Sequence, residues 1–229
     1  MLKKQKFIFP PRVRGLKIFD SEELFPIGKV YCVGRNYEDH AKEMNGKVDR
    51  DQPFFFSKPP QALTQSNEIP FPTQTENLHH EAELVVFLNS KCSDIEPDKA
   101  YEHVFGYGVG VDLTKRDLQE LAKKNGKPWD LSKGFDNAAP ISKILRNEGN
   151  ILRKGKIQLS VNGEERQASD LSNMAWGVDE IISWLSRFIT LYPGDIIFTG
   201  TPAGVAKLDP GDYVEASIES IGNLSFKLL

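Results

Sequence analysis

The 229-residue sequence predicts a strand-rich α+β fold, on three observations. Short apolar runs bounded by turn residues recur along the chain, Asn-Gly and Pro-Gly-Asp punctuate them, and helical periodicity is confined to a few stretches. No internal repeat, low-complexity run or linker interrupts the pattern. The expectation is therefore a single domain over 1–229.

The candidate strands are 54–56, 84–88, 109–113, 157–161, 196–199, 213–218 and 224–228. Asn162-Gly163 after 157–161 predicts a tight hairpin, because both turn positions need positive φ and this pair tolerates it. Pro193-Gly194-Asp195 and Pro210-Gly211-Asp212 mark turns between later strands. The clearest helix is 179–191, where Ile181, Ile182, Leu185, Phe188 and Ile189 trace one apolar face. A second begins at Thr114, read as its cap with Asp117 answering three residues later, and ends near Asn125-Gly126. A third covers 37–44, and a fourth follows Pro97.

Hydrophobic residues at 39% and charged residues at 27% fit a globular protein and exclude long disorder. A net charge of -3 gives no field that gathers nucleic acid or an anionic membrane. In 1–14 the only apolar stretch is Phe7, Ile8 and Phe9, too short for a secretory signal, and no later stretch is long enough to span a bilayer. A cytoplasmic protein is expected. Cys32 and Cys92 belong to no ligand cluster and read as reduced thiols.

In His79-His80-Glu81-Ala82-Glu83-Leu84, two carboxylates lie two residues apart at the head of an apolar strand, so both point to one face. Like charges held that close raise one pKa unless a cation sits between them. Alone, such a pair reads better as solvated glutamates on a strand edge. Asp112 changes the balance, because it ends the apolar run from Gly106 to Val111 and a buried carboxylate needs a partner. Glu81, Glu83 and Asp112 together suit Mg²⁺ or Mn²⁺ and leave about three octahedral positions for water and substrate. His79 and His80 are read as supporting residues beside this all-oxygen set.

Six spaced motifs then resemble the fumarylacetoacetate hydrolase family, in particular its short single-domain members of the acylpyruvate hydrolase and oxaloacetate decarboxylase type. They are Gly34-Arg35-Asn36-Tyr37 with His40 and Glu43, Phe56-Ser57-Lys58-Pro59, His80-Glu81-Ala82-Glu83, Asp112-Leu113-Thr114-Lys115-Arg116-Asp117, Lys133-Gly134-Phe135-Asp136, and Thr199-Gly200-Thr201-Pro202-Ala203-Gly204-Val205. The resemblance implies a mixed β-roll fold over 28–229 behind a lead-in strand region at 1–27. It also implies Mg²⁺ or Mn²⁺ on Glu81, Glu83 and Asp112, with Ca²⁺ as a possible substitute in a crystal, and a homodimer.

His40 and Glu43, three apart on the short helix, can form a general-base dyad. A surface contact is an equal reading from spacing alone. The resemblance implies a lid that brings the dyad to the metal. It likewise assigns Lys133 to stabilising developing charge, and the residues leave Arg116, Gln119 and Thr201 as candidates to hold the acid's carboxylate. Lys58 is placed behind the ligands as a partner for their charge. Arg35 and Asn36 are read as shaping the loop before the lid and not as touching substrate.

The implied chemistry is Lewis-acid stabilisation of a pyruvate enolate. It serves hydrolysis of acylpyruvates of the fumarylpyruvate or acetylpyruvate type, or decarboxylation or tautomerisation of oxaloacetate. Alternatives are an isomerase or decarboxylase of aromatic-catabolic dioic acids such as 2-hydroxyhepta-2,4-diene-1,7-dioate, and a non-catalytic metal or oxo-acid binder. The expected partner is a small 2-oxo acid, with no nucleic acid and no membrane.

Overall fold

Strand Ala82–Leu88 is buried along its whole length, and its side chains alternate between two apolar cores. Leu84, Val86 and Leu88 join Val109, Ile157, Ile182 and Ile197 on one side, whereas Val85 and Phe87 join Phe25, Ile144 and Phe198 on the other. A strand covered on both faces reads as an unbroken apolar run, which is why this one stands out in the sequence. Each aliphatic or aromatic side chain so buried contributes about 1.5–3 kcal/mol relative to exposure.

The structure is a computed structural model and describes residues 8, 9, 14–149 and 151–229. A six-stranded sheet runs in the order Leu145–Arg146, Val104–Val111, Ala82–Leu88, Ile196–Phe198, Val30–Gly34 and Phe54–Lys58. Its neighbours are antiparallel except Ile196–Phe198 with Val30–Gly34. A five-stranded sheet runs Glu164–Asp170, Lys156–Val161, Tyr213–Ile218, Gly222–Leu228 and Glu68–Ile69. Ile157, Leu159, Val214, Ala216, Leu224 and Phe226 on its inner face share the first core with helix Val178–Phe188. The fold is strand-rich α+β, with two larger α-helices and two shorter ones among the described residues.

Strand Val104–Val111 alternates glycine with apolar residues. A Cβ on Gly110 would lie 2.5 Å from Val85 Cγ2 and 2.6 Å from Phe198 Cε1, so neighbouring side chains pack directly across this backbone. The same alternation carries on to Asp112. Register pairs Glu83 with Gly110 and Ala82 with Val111, and Asp112 N donates to Glu81 O at 2.8 Å. Period-two alternation on two paired strands therefore turns Glu81, Glu83 and Asp112 towards one place.

Several local expectations are corrected. The helix expected at 179–191 spans Val178–Phe188: Ile189 is extended (φ -143, ψ 148) and Leu191 pairs with Cys92. Phe188 is 69% exposed and does not join the apolar face. The helix expected from Thr114 starts at Arg116 and has no side-chain cap, because Thr114 pairs with His79 as a strand residue. Asp117 instead accepts bonds from Thr75 Oγ1, Glu76 N and Leu118 N. The stretch after Pro97 is a 3₁₀ helix, Pro97–His103. Asn162 (φ 53) and Gly163 (φ 82) make the expected hairpin turn.

In the lead-in, Gly15–Lys17 pairs with Leu24–Pro26, and Leu16, Ile18 and Phe25 enter the second core. Residues 1–7 and 10–13 lie outside the described residues, Phe7 among them.

Gly110→Ala should destabilise the protein by about 1–3 kcal/mol, since the added methyl overpacks Val85 and Phe198. Urea unfolding reads this directly, and an unchanged midpoint would contradict the packing described.

Candidate functional site

The C-terminal end of strand Val30–Gly34, inside the six-stranded sheet, leads into the site. After strand Val30–Gly34 the chain turns at Arg35 in the left-handed region (φ 58) and enters helix Glu38–Glu43. Asn36, fully buried, fixes the turn: its amide donates to Trp176 O (3.0 Å) and Thr199 O (2.7 Å), and its side-chain oxygen accepts from Trp176 N (2.7 Å). The expectation that Asn36 shapes this loop holds. Gly200 (φ +96) completes the contact, because a Cβ there would lie 2.7 Å from Asn36 Cβ.

His40 Nδ1 lies 3.1 Å from Glu43 Oε2, and Glu43 Oε1 accepts from Gly204 N at 3.1 Å. The carboxylate is thereby held between the short helix and the turn after Ile196–Phe198. With Nδ1 facing a carboxylate, the imidazole proton belongs on Nδ1 and Nε2 carries the free lone pair.

Glu81, Glu83 and Asp112 are buried and present one oxygen each within 4.8 Å of one another. Lys133 Nζ bridges Glu81 Oε2 and Asp112 Oδ2, both at 2.7 Å, and Arg116 Nη2 donates to Glu81 Oε1. Lys58 Nζ lies 2.7 Å from Asp112 Oδ1, yet its three N–H groups are spent on the carbonyls of Leu113, Lys133 and Ala138. Asp112 Oδ1 is thus buried beside positive charge and accepts no hydrogen bond. Glu83 accepts one, from Gly200 N at 2.7 Å.

Burial raises the Glu81 carboxyl, but the charges of Lys133 and Arg116 override it and hold the group well below the usual carboxylate range. Glu83 goes the other way: burial, then the charges of Asp112 and Glu81, push it well above. Three hard oxygen donors, one without a hydrogen bond and one whose ionisation is opposed by its neighbours, fit Mg²⁺ or Mn²⁺.

A cavity of about 40 Å³ opens over this cluster, lined among others by His40, Glu81, Glu83, Arg116, Gln119, Lys133 and Thr201. Every residue expected at the site is therefore in or against one place. Lys133 closes the one-turn helix Asp130–Lys133, and Arg116 Nη1 donates to Gln119 Oε1 at 2.6 Å on helix Arg116–Lys124. His79 is a support as expected: its Nδ1 faces Arg116 Nε at 3.4 Å and its Nε2 faces Asn77 Oδ1 at 2.9 Å. Burial, then the Arg116 charge, lower the imidazole to about 4, so His79 is neutral at pH 7. Arg35 and Lys123 line the cavity as well.

Gln167 escaped sequence reasoning altogether. It is buried on strand Glu164–Asp170, accepts from Ala82 N and faces His80 Nδ1 (both 3.0 Å), and donates to Thr201 Oγ1 and Pro202 O (both 2.8 Å). Its only signal is a single buried position among exposed polar residues, which the sequence does not display.

The family profile described as "Fumarylacetoacetate (FAA) hydrolase C-terminal" matches residues 29–228. The crystal structure of fumarylpyruvate hydrolase from Pseudomonas aeruginosa in complex with Mn²⁺ and pyruvate superposes with a TM-score of 0.94 at 42% identity, covering 98% of this chain and 99% of that one. Human oxaloacetate tautomerase FAHD1, mitochondrial, is 41% identical over 201 residues, 87% of this chain and 90% of that protein. A fumarylpyruvate hydrolase from a Ralstonia species is 38% identical over 185 residues, 80% and 96% respectively.

Gln167→Leu should lower stability by at least about 2 kcal/mol, since buried partners lose their hydrogen bonds at about 1–3 kcal/mol each. A change under about 0.5 kcal/mol in chemical unfolding would show that Gln167 does not hold the Thr201 turn.

Proposed function

The chain belongs to the fumarylacetoacetate hydrolase family, and on that premise we propose that it is a divalent-metal-dependent hydrolase of acylpyruvates. The observation that carries this is the His40–Glu43 dyad, held by Gly204, whose His40 lines one cavity with Glu81 and Glu83.

In this reading Glu81, Glu83 and Asp112 hold Mg²⁺ or Mn²⁺, which supplies Lewis-acid polarisation at the 2-oxo acid. His40 Nε2 takes a proton from water as the oxygen attacks the distal carbonyl, and Glu43 stabilises the imidazolium that results. The carbon–carbon bond between the acyl carbonyl and the pyruvate methylene then breaks. The acyl half leaves as a carboxylic acid, and the pyruvate half takes back the proton at its methylene carbon. Lys133 offsets negative charge growing on the oxo oxygen, while Arg116, Gln119 and Thr201 hold the acid's carboxylate. Lys58 stays behind Asp112 and keeps its charge balanced.

A cavity of about 40 Å³ holds only a few water-sized occupants, so an acid of this size enters when helix Glu38–Glu43 moves. The human relative's name favours a second reaction on the same groups, oxaloacetate tautomerisation, in which the dyad shuttles a proton and no water attacks. A catalytic unit of residues 28–229 with 1–27 as its lead-in, a homodimer and a cytoplasmic location belong to the same proposal. The shared second core supports the first, and the family resemblance supports the dimer. Among the described residues no helix is long and apolar enough to cross a membrane.

Glu83→Gln should weaken Mn²⁺ binding and nearly abolish pyruvate release with the fold intact. Full turnover in that variant, or after thorough EDTA treatment, would exclude the metal role. His40→Ala and Glu43→Gln should cut acylpyruvate hydrolysis by about 10²–10⁴-fold, the usual range of general-base catalysis, while sparing oxaloacetate decarboxylation. Equal loss of both activities with Mn²⁺ still bound would make the dyad a lid or binding element instead.

A further inference from the structure

The segment 37–49, which carries helix Glu38–Glu43, is gripped at both ends by one short stretch, 174–177. At its start Ala175 N donates to Asn36 O at 2.7 Å, Tyr37 pairs with Met174, and the Asn36 side chain is bonded to the backbone of Trp176. At its end Trp176 Nε1 donates to Asp49 O at 2.8 Å, and the Arg50 guanidinium lies 4.2 Å from the Trp176 ring centroid. Arg50 Nη2 also lies 3.1 Å from Glu180 Oε1. Both partners of Arg50 are fixed in turn. Trp176 is buried and packs edge-on against Trp184, with centroids 5.9 Å apart, and Glu180 Oε2 accepts from Gly177 N at 2.8 Å where helix Val178–Phe188 begins.

The two ends differ in strength. Asn36 and Tyr37 are buried, so water does not compete for their bonds, whereas the Arg50 and Glu180 side chains are 54% and 35% exposed. An exposed ion pair and a cation on the face of an indole each bias an equilibrium by only about 2- to 5-fold. Between the ends the segment stands over open space, a cavity of about 350 Å³ lined among others by Arg35, Lys47, Asp49, Gln52, Trp129 and Trp176. A weak end and an unfilled underside place the motion at Asp49 and Arg50, with the buried turn at Asn36 as the hinge. Such motion reaches the base, because Glu43 is tied to the body of the protein at Gly204 N.

We propose that Arg50, held between the Trp176 ring and Glu180, is a latch that keeps the segment 37–49 closed and so positions the His40–Glu43 dyad over the cavity. Arg50 touches no substrate and acts through the segment. The latch itself stands on contacts within the chain, and its link to the passage of a 2-oxo acid rests on the function proposed above. The acid enters and leaves when Arg50 lets go of Trp176 and the segment swings about Asn36.

Hydrogen exchange followed by NMR on the full chain reads both ends of the motion. The Trp176 indole N–H is freed when Asp49 lifts, and the Gly204 amide is freed when Glu43 withdraws. Arg50→Ala should quicken exchange at both by about 3- to 30-fold, the two weak contacts combined. Glu180→Gln, which keeps the stacking, should fall between Arg50→Ala and wild type, and Arg50→Lys, which keeps the charge, should restore much of the protection. Amides of strand Val104–Val111 should exchange as in wild type. No change at either proton would overturn the latch. Faster exchange at the indole alone would show that Arg50 holds its own end and not the dyad, and faster exchange in Val104–Val111 as well would make Arg50 a general stabiliser; either overturns the proposal. In stopped-flow binding of pyruvate to the Mn²⁺-loaded protein, Arg50→Ala should quicken association and dissociation by the same factor and leave the affinity nearly unchanged, since the latch gates passage and makes no contact with the acid. Unmoved rates beside faster exchange would overturn the gating. A wild type that binds no pyruvate would overturn the 2-oxo acid reading, while the exchange comparison still decides the latch.

Discussion

Burying Glu81, Glu83 and Asp112 together is costly unless positive charge meets them, and the strands around them are shaped by that requirement. Lys58, Lys133 and Arg116 are the buried cations that do so, and each arrives from a different segment. Lys58 comes from strand Phe54–Lys58 and spends its three N–H groups on Leu113, Lys133 and Ala138, joining three loops behind the cluster. Lys133 comes from a one-turn helix and spans two of the carboxylates. Among the described residues Glu83 meets no cation directly, and the opposed shifts of Glu81 and Glu83 follow from that asymmetry. A divalent ion would complete what the protein's own cations leave uneven.

The same cluster is tied to the short helix Glu38–Glu43. Gly200 N binds Glu83, the carbonyl of the preceding Thr199 accepts from Asn36, and Asn36 opens the turn into helix Glu38–Glu43. Gly204, farther along the same segment, holds Glu43. One stretch from 199 to 204 therefore contacts a proposed ligand, Glu83, and the Glu43 of the proposed dyad, and it carries Thr201 itself. Displacement of the dyad and rearrangement of the carboxylate surroundings are mechanically linked through it.

The convergence of the three carboxylates was legible in the sequence because strand alternation is strict. Glu81 and Glu83 share a face by period two, and Asp112 joins them because the glycine stripe 106, 108, 110 carries its parity onward. The His40–Glu43 pair was legible as a helical three-residue spacing, and its link to Gly204 was not. Gln167 was hidden because nothing in a polar strand marks which residue turns inward, and it is recognised only once His80, Ala82 and Thr201 are seen around it. Thr114 was misread as a cap since a Thr before Asp117 has the right spacing, whereas its backbone is taken by pairing with His79. Arg35 was assigned to loop shape, and its position on the cavity depends on the left-handed turn that sequence spacing does not reveal.

The central claim is that the buried carboxylates are a cation site and not a self-contained salt-bridge network. Crystals grown with Mn²⁺ and pyruvate, measured at the manganese edge, decide between them. The account predicts one strong anomalous peak within about 2.2 Å of an oxygen from each of Glu81, Glu83 and Asp112, with pyruvate beside it. A peak located elsewhere, or none at the cluster while Lys133 still bridges Glu81 and Asp112, would contradict it.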